Sequence, residues 1–156
     1  MNNLTSADIP PVGAGDHVRG EGPELIAYLD LACPRCAAAW PKLMAQPVRL
    51  CLRHFPIASK RPRAPALHAA AQAAGMQRPG GFWEMVDAIY ADLGHQDDPH
   101  LWSRAEAMNL DLARFEADRR SDVVAARIRR DFESGVRAGV TGTPACFAEG
   151  RPVTAL

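Results

Sequence analysis

The sequence predicts an α/β fold in which a β-α-β unit and a closing β-hairpin enclose a block of helices. Two β-prone runs, at residues 24–32 and 48–57, flank one short helical segment. Helix-like segments then fill residues 62–139, and residues 140–156 return to strand. A strand, a helix and a strand joined by short connections imply a parallel pair with a right-handed crossover.

Composition limits the classes of function. The 156 residues suit one domain, with 47% apolar and 23% charged residues. Because 18 basic residues balance 18 acidic ones, we predict no nucleic-acid partner. No apolar run approaches the ~20 residues of a membrane span, and the N-terminus lacks a signal-peptide pattern. We therefore expect a cytoplasmic protein without a membrane partner, in which four cysteines serve metal or redox chemistry.

The first half of the chain contains an arm and the β-α-β unit. Residues 1–22 are rich in Pro, Gly and Asn and predict a flexible N-terminal arm, and the unit occupies residues 23–61. In "VRLCLRHFPI", Val48, Leu50 and Leu52 alternate with Arg49, Cys51 and Arg53, which predicts a second strand.

The second half contains the helical block and the hairpin. Glycines at 75 and 94 predict two helix ends, and Asp98-Pro99 predicts a helix start with Asp98 as N-cap. The last helix has apolar residues every four positions, which predicts one buried stripe on a solvated helix: Val124, Ile128, Phe132 and Val136. In the closing strands, Glu149-Gly150-Arg151 is the predicted hairpin turn.

The stretch "LDLACPRCAAAWPKL" places two cysteines where a strand becomes a helix. Helix N-termini carry partial positive charge and unpaired N–H groups, which lower the pKa of a thiol at that position. Pro34 suits the first helical position, and Arg35 adds positive charge. Cys36, one turn on, can resolve a mixed disulfide formed at Cys33. This redox hypothesis requires the two sulfurs to be close together and accessible to solvent.

Two other interpretations of the cysteine pair stay open. A zinc site needs two more ligands at suitable spacing, whereas Cys51 and Cys146 stand alone and only His95 and His100 are paired. Packed, inert thiols are the second interpretation.

"YLDLACPRC", "RHFP" and "GVTGTP", taken together, resemble the DsbA-like branch of the thioredoxin superfamily. The resemblance extends from about Asp16 to Leu156. It implies a thioredoxin fold with an inserted helical block between its two halves, and a cis Thr143-Pro144 peptide that faces both cysteines and holds a substrate strand. It also implies thiol- or disulfide-bearing proteins or small thiols as partners, with the Cys33–Cys36 disulfide in place of any cofactor or metal.

One departure from the family pattern concerns the end of the chain. The sequence stops at Leu156 directly after the last strand, before the C-terminal helix with which the family normally closes its sheet, so either the chain is cut short or another element covers that face. Since large exposed apolar faces are rare, we expect residues 1–20 or a second copy in a homodimer to cover that face.

The predicted function is therefore thiol–disulfide exchange with Cys33 as nucleophile and Cys36 as resolving thiol. Asp30, three residues before Cys33, is either a proton relay for the pair or a polar residue at a strand end. The basic segment "RHFPIASKRPR" is either a substrate-steering rim or a solvated loop. Alternatives are a non-redox binding or chaperone-like module, a metal-binding protein, and a glutathione-dependent isomerase or transferase on the same fold.

Overall fold

The computed structural model describes residues 7–154, which form one mixed five-stranded sheet and six helices. The sheet order is β1-β3-β2-β4-β5. The strands are β1 (His17–Arg19), β2 (Glu24–Leu29), β3 (Arg49–His54), β4 (Ala145–Ala148) and β5 (Arg151–Val153). The helices are α1 (Pro34–Met44), α2 (Ala64–Gln77), α3 (Gly81–Ala91), α4 (Asp98–Ala107), α5 (Leu112–Arg119) and α6 (Asp122–Arg137).

The β-α-β unit forms the centre of the sheet as predicted. β2 pairs with β3 in parallel, with Leu29 opposite His54, and β4 pairs with β2 antiparallel. Five of the six residues of β2 are buried, which is the pattern of a strand covered on both faces. Alternate residues of β2 enter two apolar clusters, one shared with α1 and the helical block and one on the opposite face.

β3 is present as predicted, and it is covered on both faces. Cys51 is fully buried and Arg53 is only 3% exposed. The guanidinium of Arg53 donates hydrogen bonds to Asp16 Oδ2 at 3.1 Å and to the Tyr28 hydroxyl at 3.2 Å. Arg53 can be buried on this strand because it is paired, whereas burying an unpaired arginine would be costly.

The predicted flexible arm is wrong for the residues that the structure describes in it. His17–Arg19 form β1, an antiparallel edge strand on β3, and Asp16 is buried against Arg53. Ile9 and Val12 pack on the face of the sheet opposite α1. Three strand residues are too few to show a period, and the partner that fixes them is far along the chain. Residues 1–6 lie outside the described residues.

The five helices of the block lie between β3 and β4, and α4 begins one residue earlier than predicted, with Asp97 as N-cap. The predicted stripe on α6 is only partly correct. Val124 is buried, but Ile128 and Phe132 are half-buried and Val136 is 51% exposed. The buried face of α6 instead carries Val124, Asp131, Ser134 and Gly135.

Gly135 explains how α6 approaches the sheet so closely. A Cβ atom at this position would lie 2.8 Å from a ring carbon of Phe55 and 2.9 Å from a ring carbon of Tyr28. The helix therefore rests directly on the aromatic side chains of Phe55 and Tyr28.

The hairpin between β4 and β5 is present as predicted. Glu149 and Gly150 both have positive φ, 51° and 75°, which is the conformation of a two-residue turn matched to strand twist. All three residues of β5 are exposed. The expected homodimer stays a prediction.

Candidate active site

Cys33 and Cys36 lie where the sequence predicts them, at the junction of β2 and α1. Cys33 is the N-cap residue of α1, Pro34 is in its first turn, and Cys36 is in the same turn. The N–H of Cys33 donates to the carbonyl oxygen of Asp30 at 3.1 Å, which fixes the chain as it leaves the strand. The Cys33 thiol makes no capping hydrogen bond, so the first-turn N–H groups are available to a charged sulfur.

The surroundings of Cys33 favour its thiolate. Burial alone would raise the pKa of Cys33. Hydrogen bonding from Thr143 and from the N–H and thiol of Cys36, together with the positive charge of Arg61, outweighs burial and lowers the pKa of Cys33 below its ordinary value. Cys33 therefore has the property that a nucleophilic cysteine requires.

The surroundings of Cys36 have the opposite effect. Burial and, to a smaller extent, the charge of a neighbouring Cys33 thiolate together raise the pKa of Cys36 to about 12, although hydrogen bonds with the Asp30 backbone and Thr143 oppose the increase. One thiol of the pair thus ionises readily while the other keeps its proton. An attacking thiol and a resolving thiol require an asymmetry of this kind.

The accessibility that the redox hypothesis requires is not present in this conformation. Cys33 and Cys36 are both 0% exposed. However, the chain neighbours Pro34 and Arg35 are exposed, and so is Pro144 across the site. Cys33 therefore lies directly beneath the surface of the protein, and we infer that a substrate must displace part of this thin cover to reach the sulfur.

The Thr143–Pro144 segment lies against the cysteines. The Thr143–Pro144 peptide is cis, and the Cys33 Sγ is 3.9 Å from the carbonyl oxygen of Thr143. The buried Thr143 hydroxyl has no hydrogen-bond partner within residues 7–154, so it can donate to the sulfur when Cys33 ionises. Pro144 is exposed beside it, where an incoming chain can make contact.

Asp30 is buried beneath the pair, but its contacts do not suit a proton relay. Its carboxylate accepts hydrogen bonds from the N–H of Ala32 at 2.9 Å and of Ile57 at 3.1 Å, and from Arg61 at 3.3 Å. Burial opposes the charge, yet hydrogen bonding from His68 and these N–H groups lowers the pKa of Asp30. A relay base needs a pKa near the working pH, and no hydrogen bond among residues 7–154 joins this carboxylate to either sulfur. Asp30 instead anchors the loop that carries Arg61.

Arg61 is a residue of the site that the sequence does not mark. It is one charge of the basic segment "RHFPIASKRPR", in which nothing local distinguishes one arginine from the others. The guanidinium pairs with the buried Asp30 at 3.3 Å, and this pairing holds its charge near Cys33. Arg35, which was predicted to supply that charge, is exposed.

We expect Arg61→Met to raise the pKa of Cys33 more than Arg35→Met does. The substitution removes a nearby positive charge and leaves the negative charge of Asp30 less compensated, and both changes disfavour the thiolate. The measurement is the absorbance of the reduced protein at about 240 nm as a function of pH. An equal or larger shift in Arg35→Met would restore the assignment made from the sequence.

A chain of three histidines, of which His54 and His68 are buried and His17 is half-buried, runs from Asp30 to the edge of the sheet. His68 Nε2 lies 3.3 Å from Asp30 Oδ1, and His68 Nδ1 lies 2.8 Å from His54 Nδ1. Gln72 Oε1 then joins His54 at 3.0 Å to His17 at 2.7 Å. Their packing agrees with the structural role expected for buried histidines.

Burial of His17 and His54 makes the fold sensitive to acid. Burial lowers the pKa of His17 to about 4 and that of His54 well below its ordinary value. The unfolded chain takes up protons near pH 6.5 and the folded chain does not, so stability falls as the pH drops from about 6.5 to 4.

We expect the free energy of unfolding to be lower at pH 5 than at pH 7, with His17 alone accounting for about 2 kcal/mol. Urea unfolding of the protein and of His17→Gln at both pH values measures this contribution of His17 to the free energy of unfolding. The pH dependence of the variant should be smaller by about that amount. An unchanged pH dependence would show that His17 does not carry it.

The other two cysteines are unsuited to exchange. Burial raises the pKa of Cys51 to about 12 and that of Cys146 to about 11. Both are packed in the apolar clusters on either side of the sheet. Within residues 7–154, no group of three or more His, Cys, Asp or Glu side chains is arranged to hold a metal ion.

A Cys-x-x-Cys pair at the start of the helix after a central strand, with a cis-proline segment against it, defines the thioredoxin class of fold. The family model for the DSBA-like thioredoxin domain matches residues 24–156. The chain therefore belongs to the DsbA-like family, and the resemblance inferred from the sequence is confirmed.

Solved structures agree with this assignment. DsbA2 of Pseudomonas aeruginosa has a TM-score of 0.71 and 25% identity, with 92% of this chain and 87% of that chain covered. BdbD of Bacillus subtilis has a TM-score of 0.74 and 15% identity over 95% of this chain and 89% of that one, and it shows the fold alone. The fold and the cysteine pair support thiol–disulfide oxidoreductase activity in general.

Curated relatives cover this chain within much longer proteins. The Na(+)/H(+) antiporter NhaA 1 of Salinispora arenicola is 39% identical over 147 residues, which are 87% of this chain and 22% of that protein. The antiporter NhaA of Herminiimonas arsenicoxydans is 36% identical over 154 residues, or 91% of this chain and 24% of that protein. The chain spans less than a quarter of the length of these relatives. None of the helices within residues 7–154 has the length and apolar character needed to cross a bilayer.

Proposed function

We propose that this protein exchanges disulfides with protein or small-thiol substrates through the couple Cys33-Pro34-Arg35-Cys36. The observation that carries the proposal is the asymmetry of the two thiols. Cys33 caps α1 with a lowered pKa, while Cys36, in the same turn, has its pKa raised to about 12. Inert packed thiols have no reason to differ in this way.

The exchange proceeds in two steps that balance in sulfur and electrons. The Cys33 thiolate attacks one sulfur of a substrate disulfide, forms a mixed disulfide and releases the other substrate sulfur as a thiolate. That leaving thiolate takes the proton of Cys36, whose raised pKa prevents ionisation without a base. Cys36 then attacks Cys33 Sγ, which yields the Cys33–Cys36 disulfide and a substrate reduced by two electrons. The reverse sequence oxidises a substrate dithiol.

Thr143 and Pro144 hold the substrate during this exchange. Pro144 is exposed, and the Thr143 carbonyl oxygen is 3.9 Å from Cys33 Sγ, so a chain lying along this segment brings its sulfur to the nucleophile. Extended peptides commonly bind by pairing with such a free backbone edge.

The lowered pKa of Cys33 also bears on the direction of exchange. Stabilising the thiolate stabilises the reduced couple, which makes the disulfide form a stronger oxidant. In a cytoplasm buffered by glutathione the couple is held reduced, whereas an oxidising compartment favours transfer of the disulfide to substrates. The cytoplasmic location stays a prediction.

Equilibration of the protein with glutathione buffers tests the proposal. Mass spectrometry of acid-quenched, alkylated samples counts free thiols at Cys33 and Cys36, with Cys51 and Cys146 as internal controls. We expect a two-electron transition that involves only the first pair. A single glutathione retained on Cys33 without a Cys33–Cys36 disulfide would favour a glutathione-dependent isomerase or transferase. No transition at either cysteine would favour the non-redox binding module.

A further inference from the structure

Tyr90, in the helical block, reaches the strand-to-helix junction that carries the cysteine pair. The residue lies near the end of α3 and is buried. Its hydroxyl donates a hydrogen bond to the backbone carbonyl oxygen of Asp30 at 3.1 Å. The same oxygen accepts the N–H of Cys33 at 3.1 Å. The Tyr90 hydroxyl therefore lies beside the start of α1, where the two thiols are.

The ring of Tyr90 brings this hydroxyl to Cys36. Tyr90 packs on Trp40 with ring centroids 5.2 Å apart. Trp40 and Cys36 are four residues apart on the buried face of α1, so they lie one above the other. The Tyr90 side chain thus extends from Trp40 towards the N-terminus of α1 and passes along Cys36, with which its hydroxyl forms a hydrogen bond. Cys36, Trp40 and Tyr90 belong to the same apolar cluster.

Tyr90 is a hydrogen-bond donor at this position and not a base. Burial raises the pKa of Tyr90 well above its ordinary value, and the nearby Cys36 and Asp30 raise it in the same direction. The hydroxyl therefore keeps its hydrogen and does not take the proton of Cys36. It can donate that hydrogen to a neighbouring sulfur that becomes negatively charged.

The second step of the exchange needs a donor at Cys36. This sulfur carries a negative charge when it attacks the mixed disulfide, yet its pKa is raised to about 12, mainly by burial. Cys36 is fully buried, so bulk water does not solvate that charge. A donor already in place at a buried site stabilises a developing charge more than it stabilises the neutral thiol, and this difference accelerates the step.

From these contacts, we propose that Tyr90 is a catalytic residue of the resolving step, in which its hydroxyl donates a hydrogen bond to the Cys36 thiolate as that sulfur attacks Cys33. The inference rests on the proposed exchange function and adds one residue to it. While Cys36 is a thiol, the Tyr90 hydroxyl donates to the Asp30 carbonyl oxygen. When the leaving thiolate of the substrate takes the proton of Cys36, the hydroxyl turns to the sulfur.

Tyr90 keeps its proton throughout the step. The Cys36–Cys33 bond forms, the bond between Cys33 and the substrate breaks, and the substrate sulfur leaves with the electron pair as a thiolate. In the reverse direction Cys36 is the leaving thiolate, and Tyr90 stabilises the same atom. The first attack by Cys33 on a substrate disulfide places no charge on Cys36. The contribution of Tyr90 is therefore confined to the steps in which Cys36 is charged.

The test follows the mixed disulfide through a single turnover. The reduced protein is mixed rapidly with a disulfide-bonded peptide, and acid-quenched samples are counted by mass spectrometry. We expect Tyr90→Phe to form the mixed disulfide at the rate of the intact protein. We expect it to resolve that adduct about tenfold more slowly, the effect of losing one hydrogen bond to a charged group.

Tyr28→Phe is the matched control for this variant. It removes the hydroxyl of the other tyrosine in the sequence, which lies 2.8 Å from Ser134 Oγ in the cluster on the opposite face of the sheet. Tyr28→Phe should form and resolve the mixed disulfide like the intact protein. Equal resolution rates in Tyr90→Phe and the intact protein, or equal slowing in Tyr90→Phe and Tyr28→Phe, would overturn the inference.

Cys36→Ala separates a catalytic effect from a distorted site. This variant carries out only the first step, and adding Tyr90→Phe to it should leave the rate of mixed-disulfide formation unchanged. A slower first step in the double variant would show that Tyr90 acts through the general structure of the site, and it would overturn the inference while leaving the exchange function intact. If neither the intact protein nor Cys36→Ala formed any mixed disulfide, the exchange function itself would be refuted, and the role of Tyr90 with it.

Discussion

Replacing Cys33 with alanine should reduce thiol–disulfide exchange to the uncatalysed rate. Cys33 lies at a helix N-terminus in contact with Thr143, and its pKa is lowered. Cys36 cannot replace it as the attacking thiol because the pKa of Cys36 is raised to about 12. The measurement is the reduction of insulin disulfides by dithiothreitol with catalytic amounts of the protein. Exchange that persists in Cys33→Ala would show that another thiol is the nucleophile.

Cys36→Ala is the matched control for that variant. It keeps the nucleophile and removes only the resolving thiol, so the first step proceeds and the second does not. We expect the substrate to accumulate as a mixed disulfide on Cys33, visible as a covalent adduct by mass spectrometry without reductant. Cys146→Ala, which removes a buried thiol with a raised pKa, should turn over like the intact protein.

Asp16→Ala should strongly destabilise the fold, although Asp16 lies outside the active site. Asp16 and Arg53 form an ion pair at 3.1 Å whose side chains are 6% and 4% exposed. Removing the carboxylate leaves a buried guanidinium without its partner, at a cost of about 3–5 kcal/mol. Thermal unfolding should show a decrease in Tm of about 10 °C for a chain of this size.

The double variant Asp16→Leu/Arg53→Met separates the ion pair from simple packing. It removes both charges and keeps apolar volume, so it should recover much of the stability lost in Asp16→Ala. If Asp16→Ala lowered the free energy of unfolding by less than about 1 kcal/mol, the segment before β1 would be as loosely attached as its composition suggests.

The features predicted from the sequence are those with short-range signals. The junction of β2 and α1 at Cys33, the helical block and the turn at Glu149-Gly150 each depend on neighbouring residues whose backbone preferences agree. The order of elements and the resemblance carried by three motifs then identify the fold.

The features that were missed depend on distant partners. β1 exists because three residues pair with β3, and Arg53 is buried because Asp16 is placed beside it. The positive charge near Cys33 comes from Arg61. This arginine is held in place by its ion pair with Asp30 and is not next to either cysteine in the sequence. Residues four apart on α6 share a face, but spacing does not say whether another element covers that face, and here an open groove lies over it.

Alkylation of the reduced protein with iodoacetamide as a function of pH tests most directly whether the thiol at the start of α1 is a ready nucleophile. Peptide mapping at each pH gives separate rates for Cys33 and Cys36. We predict that Cys33 reacts first, with a midpoint below the ordinary thiol value of about 8.5, and that Cys36 is protected throughout. If Cys33 reacted no faster than the buried Cys51, or only at the pH of an ordinary thiol, this result would contradict the proposal that Cys33 is the nucleophile.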